Sequence, residues 1–212
     1  MAQYFIIHPD NPQGRLIRAA ARIIASGGVI AYPTDSSYAL GCGLANKEGR
    51  DRICRLRGLD AHHPFTLVCR DLSDLATYAQ IDNRLYRVLR AHTPGPYTFV
   101  LPATREVPRR LLDPKRRTIG LRVPDHRVVQ ALLAELGAPL MSVTLTLPDA
   151  DGALLSDPQV IRERLEHKLD LVIDGGICPG EPTAVVEWDG EDFSVRRTGT
   201  GDLSSFAPNG GG

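Results

Sequence analysis

The chain has 212 residues, 42% of them hydrophobic and 24% charged, a composition that suits one globular domain and excludes a disordered chain. Its 25 basic and 25 acidic side chains cancel, so any attraction for phosphate must come from local grouping rather than net charge. No run of about 18 apolar residues offers a membrane span, and the N-terminus lacks the basic and apolar regions of a secretory signal. The elements then alternate along the chain. Residues 3–8 read as a strand, Asn11 and Pro12 as the start of a helix, and Gly27-Gly28 as its exit before a buried strand at 29–32. Helices are expected at 47–57, 82–91, 126–136 and 157–166, the last capped by Ser156 with Pro158 in its first turn. Strands are expected at 65–69, 98–101, 118–123, 140–144, 171–174, 184–188 and 193–197. The last two are separated by only four residues, 189–192, which requires an antiparallel hairpin and therefore a mixed sheet. Residues 1–207 are expected to form one α/β domain and 208–212 a flexible tail.

Charge is unevenly spread. Residues 50–127 carry 16 Lys or Arg against 8 Asp or Glu, and residues from 128 onward carry 5 against 14. A fold that gathers the middle segment on one face would attract phosphates. The cysteines, Cys42, Cys54, Cys69 and Cys178, form no CxxC pair and read as buried free thiols rather than zinc ligands, so no metal centre is expected.

Several strand-end segments carry hydroxyls and cations, where α/β folds bind ligands. In Pro33-Thr34-Asp35-Ser36-Ser37 a buried strand runs into a hydroxyl-rich loop. That loop can present donors to a ligand or satisfy its own backbone as a Ser/Thr turn. Arg55 and Arg57 close a helix ahead of His62, His63 and the strand bearing Thr66. If the helix unwinds there, the two guanidinium groups can fork outward together onto a phosphate or carboxylate. Thr98 follows a rigid Pro-Gly-Pro turn, and Arg122-Val123-Pro124-Asp125-His126 leads a strand end into a helix N-terminus. Ser142, Thr144 and Thr146, with Arg196, Arg197 and Thr198, add further hydroxyls and cations.

Taken in order, these segments resemble the YrdC/YciO family, and its YciO branch in particular. The resemblance rests on the 33–41 loop, the Arg55/Arg57 pair, the 94–100 turn, the 122–126 segment and the Arg197 to Gly199 ending; the YciO likeness rests on 7–13 and 108–112. It implies a YrdC/RibB-like twisted open mixed sheet with flanking helices and a concave basic surface. It also implies a protein, expected in the cytoplasm from the missing span and signal, that uses ATP and magnesium to join L-threonine and bicarbonate into threonylcarbamoyl-AMP, for threonylcarbamoyl-adenosine in transfer RNA. By the same resemblance Arg55, Arg57 and Thr34 would be catalytic. Thr34, Ser37, Thr66, Thr98, Arg122 and His126 would hold the small amino-acid substrate, and Arg57, Ser142, Thr144, Thr146, Thr183 and Arg197 the nucleotide. No all-protein magnesium site is evident.

Two positions depart from the synthase pattern. Arg55 stands where synthases usually have lysine, and Thr144-Leu145-Thr146 stands where they have Ser-x-Asn, which replaces an amide donor by a shorter hydroxyl. A different class of function therefore stays open: an accessory protein that binds double-stranded RNA or transfer RNA without chemistry. Arg109, Arg110, Lys115, Arg116 and Arg117 could meet RNA phosphates without reading sequence.

Overall fold

The computed structural model describes residues 1–60, 63–148 and 152–206. His62 and the 208–212 tail lie outside the described residues. The strands are β1 (Gln3–Ile6), β2 (Ile30–Tyr32), β3 (Ala39–Gly43), β4 (Thr66–Val68), β5 (Tyr97–Pro102), β6 (Thr118–Arg122), β7 (Leu140–Thr144), β8 (Leu171–Asp174), β9 (Ala184–Trp188) and β10 (Phe193–Arg197). They form one mixed sheet in the order β1-β8-β2-β3-β7-β4-β6-β5-β9-β10. β9 and β10 pair antiparallel, as the short connection demands, while β5 and β9 pair parallel. The helices among the described residues are α1 (Gly14–Ala25), α2 (Lys47–Arg57), α3 (Leu72–Tyr78), α4 (Asn83–His92), α5 (Arg127–Leu136) and α6 (Pro158–Leu165).

Two helix starts differ from expectation for identifiable reasons. Helix α1 is capped by Gln13 rather than Asn11, because the His8 ring nitrogen Nδ1 accepts from the backbone N–H groups of Asp10 and Asn11 and holds that stretch as a turn. Helix α6 is capped by Asp157 rather than Ser156, its carboxylate accepting from the Gln159 N–H at 2.8 Å. Strand β3 and helix α3 have no counterpart in the sequence reading. β3 is Ala-Leu-Gly-Cys-Gly, with little β-branched or aromatic character, and is held by antiparallel pairing to β2 and β7 on either side.

The two faces of the sheet are covered differently, and this positions the site. One face packs against apolar side chains of α2, α3, α4 and α6, including Ile53, Leu75, Leu85, Leu89, Ile161 and Leu165. The other packs against α1 and α5 through Ile17, Ala20, Ile24, Val128 and Leu132, which meet Ile30, Tyr32, Leu171 and Ile173. That second cover lies over the β1-β8-β2-β3-β7 half. Over the β4-β6-β5-β9 half the same face forms the floor of a cavity. Burial of Leu67, Phe99, Leu121 and Val186 toward the opposite side leaves the alternate residues of these strands facing the cavity.

Candidate functional site

A cavity of about 430 Å³ occupies the uncovered half of the face. Its floor is set by register. Ser142, Thr66, Gly120, Val100 and Glu187 stand in line across β7, β4, β6, β5 and β9. Thr98, Thr118, Thr144, Thr183 and Ser37 add hydroxyls around that row. Gly120 leaves room between Thr66 and Thr98: a Cβ there would stand 3.1 Å from Thr66 Oγ1 and 3.5 Å from Thr98 Cγ2, so the bare backbone eases the approach of those two side chains. Tyr32 and Phe65 supply apolar wall. The Tyr32 hydroxyl shares a 2.6 Å hydrogen bond with Ser142 and is pushed up to about 12 by burial.

Four arginines line this cavity: Arg57, Arg116, Arg122 and Arg197. Arg122 is 8% exposed. Its Nη2 donates to the Asp35 carboxylate, to Ser36 Oγ at 3.0 Å and to Thr34 Oγ1 at 3.4 Å, while its buried Nε has no partner among the described residues. Arg57 donates through Nη1 to the Thr146 carbonyl at 3.1 Å and to the Thr146 hydroxyl, and its Nε is likewise buried without a partner among the described residues. Arg197 donates to the Thr183 carbonyl and, at 3.0 Å, to the Thr183 hydroxyl. That hydroxyl lies 3.2 Å from Thr98 Oγ1. Burial lowers the guanidinium of Arg57 below its ordinary value, and burial followed by the neighbouring Arg122 charge does the same for Arg197. His63, on the wall beside Arg57, is lowered by burial and then by that cation. Burial is the first cause in all three, with like charge added for Arg197 and His63; cations held in a partly desolvated hollow favour an anionic ligand.

Several residues singled out in the sequence stand elsewhere or are committed to partners within the protein. Arg55 is exposed on a different surface beside Arg52, Leu56 and Lys168, its Nε directed at the Asp51 carbonyl. Helix α2 stays wound through Arg57, and residues two apart on a helix point about 200° apart rather than together. Thr34 is 2% exposed and is absent from the cavity wall among the described residues. Its Oγ1 donates to the Ser37 carbonyl at 2.6 Å and accepts from the N–H groups of Ser36 and Ser37; the loop satisfies itself. The Ser142 hydroxyl is taken up by Tyr32 and the Leu40 carbonyl, and Thr146 anchors Arg57 rather than facing the hollow. His126 caps α5 without a side-chain cap bond, its Nδ1 buried with no partner among the described residues. Of the basic run, Arg109, Arg110, Lys115 and Arg117 are exposed, and Arg110 reaches the Leu44 carbonyl at 2.8 Å. Arg116 lines the cavity.

Two residues on the site were missed. Asp35 fixes Arg122 and also accepts from the Asp125 N–H at 3.1 Å, tying the 33–37 loop to the segment after β6. Glu187, 6% exposed, closes the floor row and meets Arg116 at 2.8 Å and Arg196 through its other oxygen. Its signal was available: it shares strand parity with Thr183 and Val185, so a charge stood on the cavity side of an otherwise apolar strand. All four cysteines are free and buried. Among the described residues no group of three or more His, Cys, Asp or Glu side chains could hold a metal ion, and no helix is long and apolar enough to cross a membrane.

The fold and the site define a class: an open mixed α/β sheet, helix-covered on one face and on half of the other, with an arginine-lined basin on the remainder. Comparison places it more narrowly. Residues 22–199 match the Sua5/YciO/YrdC family model, described as "Telomere recombination". The chain belongs to this family. It is 52% identical over 206 residues to YciO of Escherichia coli K12, covering 97% of this chain and all of that protein. The crystal structure of E. coli YciO superposes with a TM-score of 0.92 at 51% identity, covering 97% and 100% of the two chains. A threonylcarbamoyl-AMP synthase of Nitrosococcus oceani is 36% identical over 163 residues, 75% of this chain and 85% of that one. Sua5 of P. abyssi, crystallised with L-threonine, shares the fold at a TM-score of 0.84 and 23% identity, over 92% of this chain and 57% of that one.

Proposed function

We propose that the protein is an adenylate-forming enzyme of the threonylcarbamoyl-AMP synthase type, converting L-threonine, bicarbonate and ATP to threonylcarbamoyl-AMP and pyrophosphate. The observation that carries this reading is the convergence of Arg57, Arg116, Arg122 and Arg197 with strand-borne hydroxyls on one cavity of about 430 Å³. The name of the N. oceani relative and the L-threonine in the P. abyssi Sua5 crystal support the choice of substrate.

The reaction needs no covalent nucleophile from the protein. Threonine and bicarbonate condense to the carbamate with loss of water; a carbamate oxygen then attacks the α-phosphorus, the bond from that phosphorus to the bridging oxygen breaks, and pyrophosphate leaves with the electron pair. The protein must bring two anions together and neutralise the charge that develops. In this reading the guanidinium groups of Arg57 and Arg122, both on the cavity wall, receive the carboxylate and the α-phosphate. Arg197 and the Thr98–Thr183 hydroxyl pair hold the nucleotide, and Thr66, Thr144 and Ser37 line the amino-acid side. Thr34, Asp35 and Thr146 act one step back by fixing the arginines. The hydroxyl at Thr146, where synthases have an amide, is put to that use. Among the described residues no group of carboxylates at the cavity could hold a cation, so magnesium would enter as the counter-ion of ATP and supply charge neutralisation there.

The test is pyrophosphate release together with detection of the adenylate. Release should require threonine and bicarbonate together, and should fall at least about a hundredfold in Arg57→Ala. Release equal to that of Arg57→Ala, or independent of threonine, removes the synthase reading. The exposed Arg109, Lys115 and Arg117 favour a second reading, RNA docking on this basic stretch. In that case affinity for duplex RNA falls steeply with salt and no ATP is consumed.

A further inference from the structure

Glu187 has more cations than it needs. Its buried carboxylate faces an anion-attracting hollow, where alone it would repel a phosphate, and Arg196 on the neighbouring strand already neutralises it. Arg116 is a second cation on the same carboxylate, and it differs from the first in where it stands. Its side chain is 58% exposed against 8% for Glu187, and it comes from the segment before β6 that borders the cavity through Leu111 and Asp113. The turn carrying it is built on Asp113, whose Oδ1 accepts from the N–H groups of Lys115 and Arg116. Arg116 is largely solvated and Glu187 keeps Arg196, so moving Arg116 to another anion leaves no buried charge unmatched.

We propose that Arg116 is a movable phosphate clamp: it rests on Glu187 and transfers to the outer phosphates of the nucleotide, returning to Glu187 as pyrophosphate departs. This rests on the nucleotide reading above and assigns Arg116 to the β- and γ-phosphates rather than to RNA. Glu187 is then a parking site whose remaining charge stays matched by Arg196 when Arg116 leaves. Arg57, Arg122 and Arg197 have their own anchors at Thr146, Asp35 and Thr183, so among the four only Arg116 exchanges one carboxylate for the ligand.

The experiment is calorimetric titration of the full chain with ATP, pyrophosphate and AMP as separate probes. Arg116→Ala should weaken ATP and pyrophosphate by about tenfold or more and leave AMP within about twofold, the loss of one charge-assisted contact. Arg116→Lys should restore part of the ATP affinity. Glu187→Gln, which removes the charge competing for Arg116, should tighten pyrophosphate by about threefold. The Arg116→Ala comparison of ATP with AMP decides the matter even if Glu187→Gln does not fold, because Arg116 is exposed. Equal losses for ATP and AMP, or no loss for either in a protein whose wild type binds ATP, overturn the clamp and leave the nucleotide reading standing. A wild type that binds neither ATP nor pyrophosphate overturns both.

Discussion

The loop at 33–37 and the floor of the cavity are both rich in Ser and Thr hydroxyls, yet the two regions use them oppositely. In the loop, Thr34 Oγ1 serves two backbone N–H groups, one carbonyl and Arg122, and Ser36 serves Arg122 as well. These hydroxyls are consumed in making a rigid seat for one guanidinium. On the floor, Thr66, Thr118 and Thr144 project from regular strands paired in the ladder, so their hydroxyls face the hollow with no backbone to serve among the described residues. Hydroxyls in an irregular loop are drawn to unpaired backbone, whereas hydroxyls at the ends of paired strands stay available to a ligand. Thr34 and Ser36 therefore carry stability, and the floor, with Ser37 at its edge, carries recognition.

The comparison breaks most readily at Arg122. Arg122→Ala leaves the Asp35 carboxylate, whose side chain is only 12% exposed, without its cation. Removing one partner of a buried pair costs about 3–5 kcal/mol, and ligand binding should be lost with it. Chemical denaturation measures the first and calorimetry the second; a stability loss below about 1 kcal/mol would mean the loop is not organised around this pair. Next is Thr34→Val, which strands two buried N–H groups and should cost about 1–3 kcal/mol, while Thr34→Ser keeps the oxygen and should stay close to wild type. On the floor the pattern should invert. Thr66→Val is nearly isosteric and leaves the strand ladder intact, so stability should move by no more than about 0.5 kcal/mol. Turnover should fall by about tenfold, the loss of one hydrogen bond at the site. If Thr66→Val destabilises as much as Thr34→Val, the division between seat and floor fails.

Much of this was legible before any coordinates. The hairpin of β9 and β10, and hence the mixed sheet, followed from the four residues 189–192. The floor hydroxyls Thr66, Thr98 and Thr144 followed from strand ends. Less legible was direction. Arg55 and Arg57 are neighbours in sequence and opposite on the helix, and only the intact last turn of α2 decides between them. Nor could the sequence decide whether Thr34 would turn to its own backbone or to a ligand, since either use suits a Ser/Thr loop. Asp35 and Glu187 went unread because their partners, Arg122 and Arg116, lie 87 and 71 residues away, and the pairing depends on a strand order that local pattern does not contain.

The smallest expected effect is titration of His126, at the far end of the Asp35 bridge. Burial lowers its pKa below the ordinary 6.5; Asp35 and Asp125 oppose this, and Arg122 adds to it. On the opposite side Gly175 of the segment after β8 comes close enough that a Cβ there would lie 3.7 Å from the ring carbon Cε1, which limits room for a hydrated imidazolium. As pH falls through 6.5 the unfolded chain takes up a proton that the folded chain does not, so stability declines with acidification until the lowered folded value is passed, and then levels off. Unfolding free energies at pH 7.5 and 5.5 should therefore differ more in wild type than in His126→Gln, whose amide does not titrate. Equal differences in the two proteins would mean that this ring is solvated when folded. It would then place His126 with the floor residues, open to a ligand, rather than with the loop that holds Arg122.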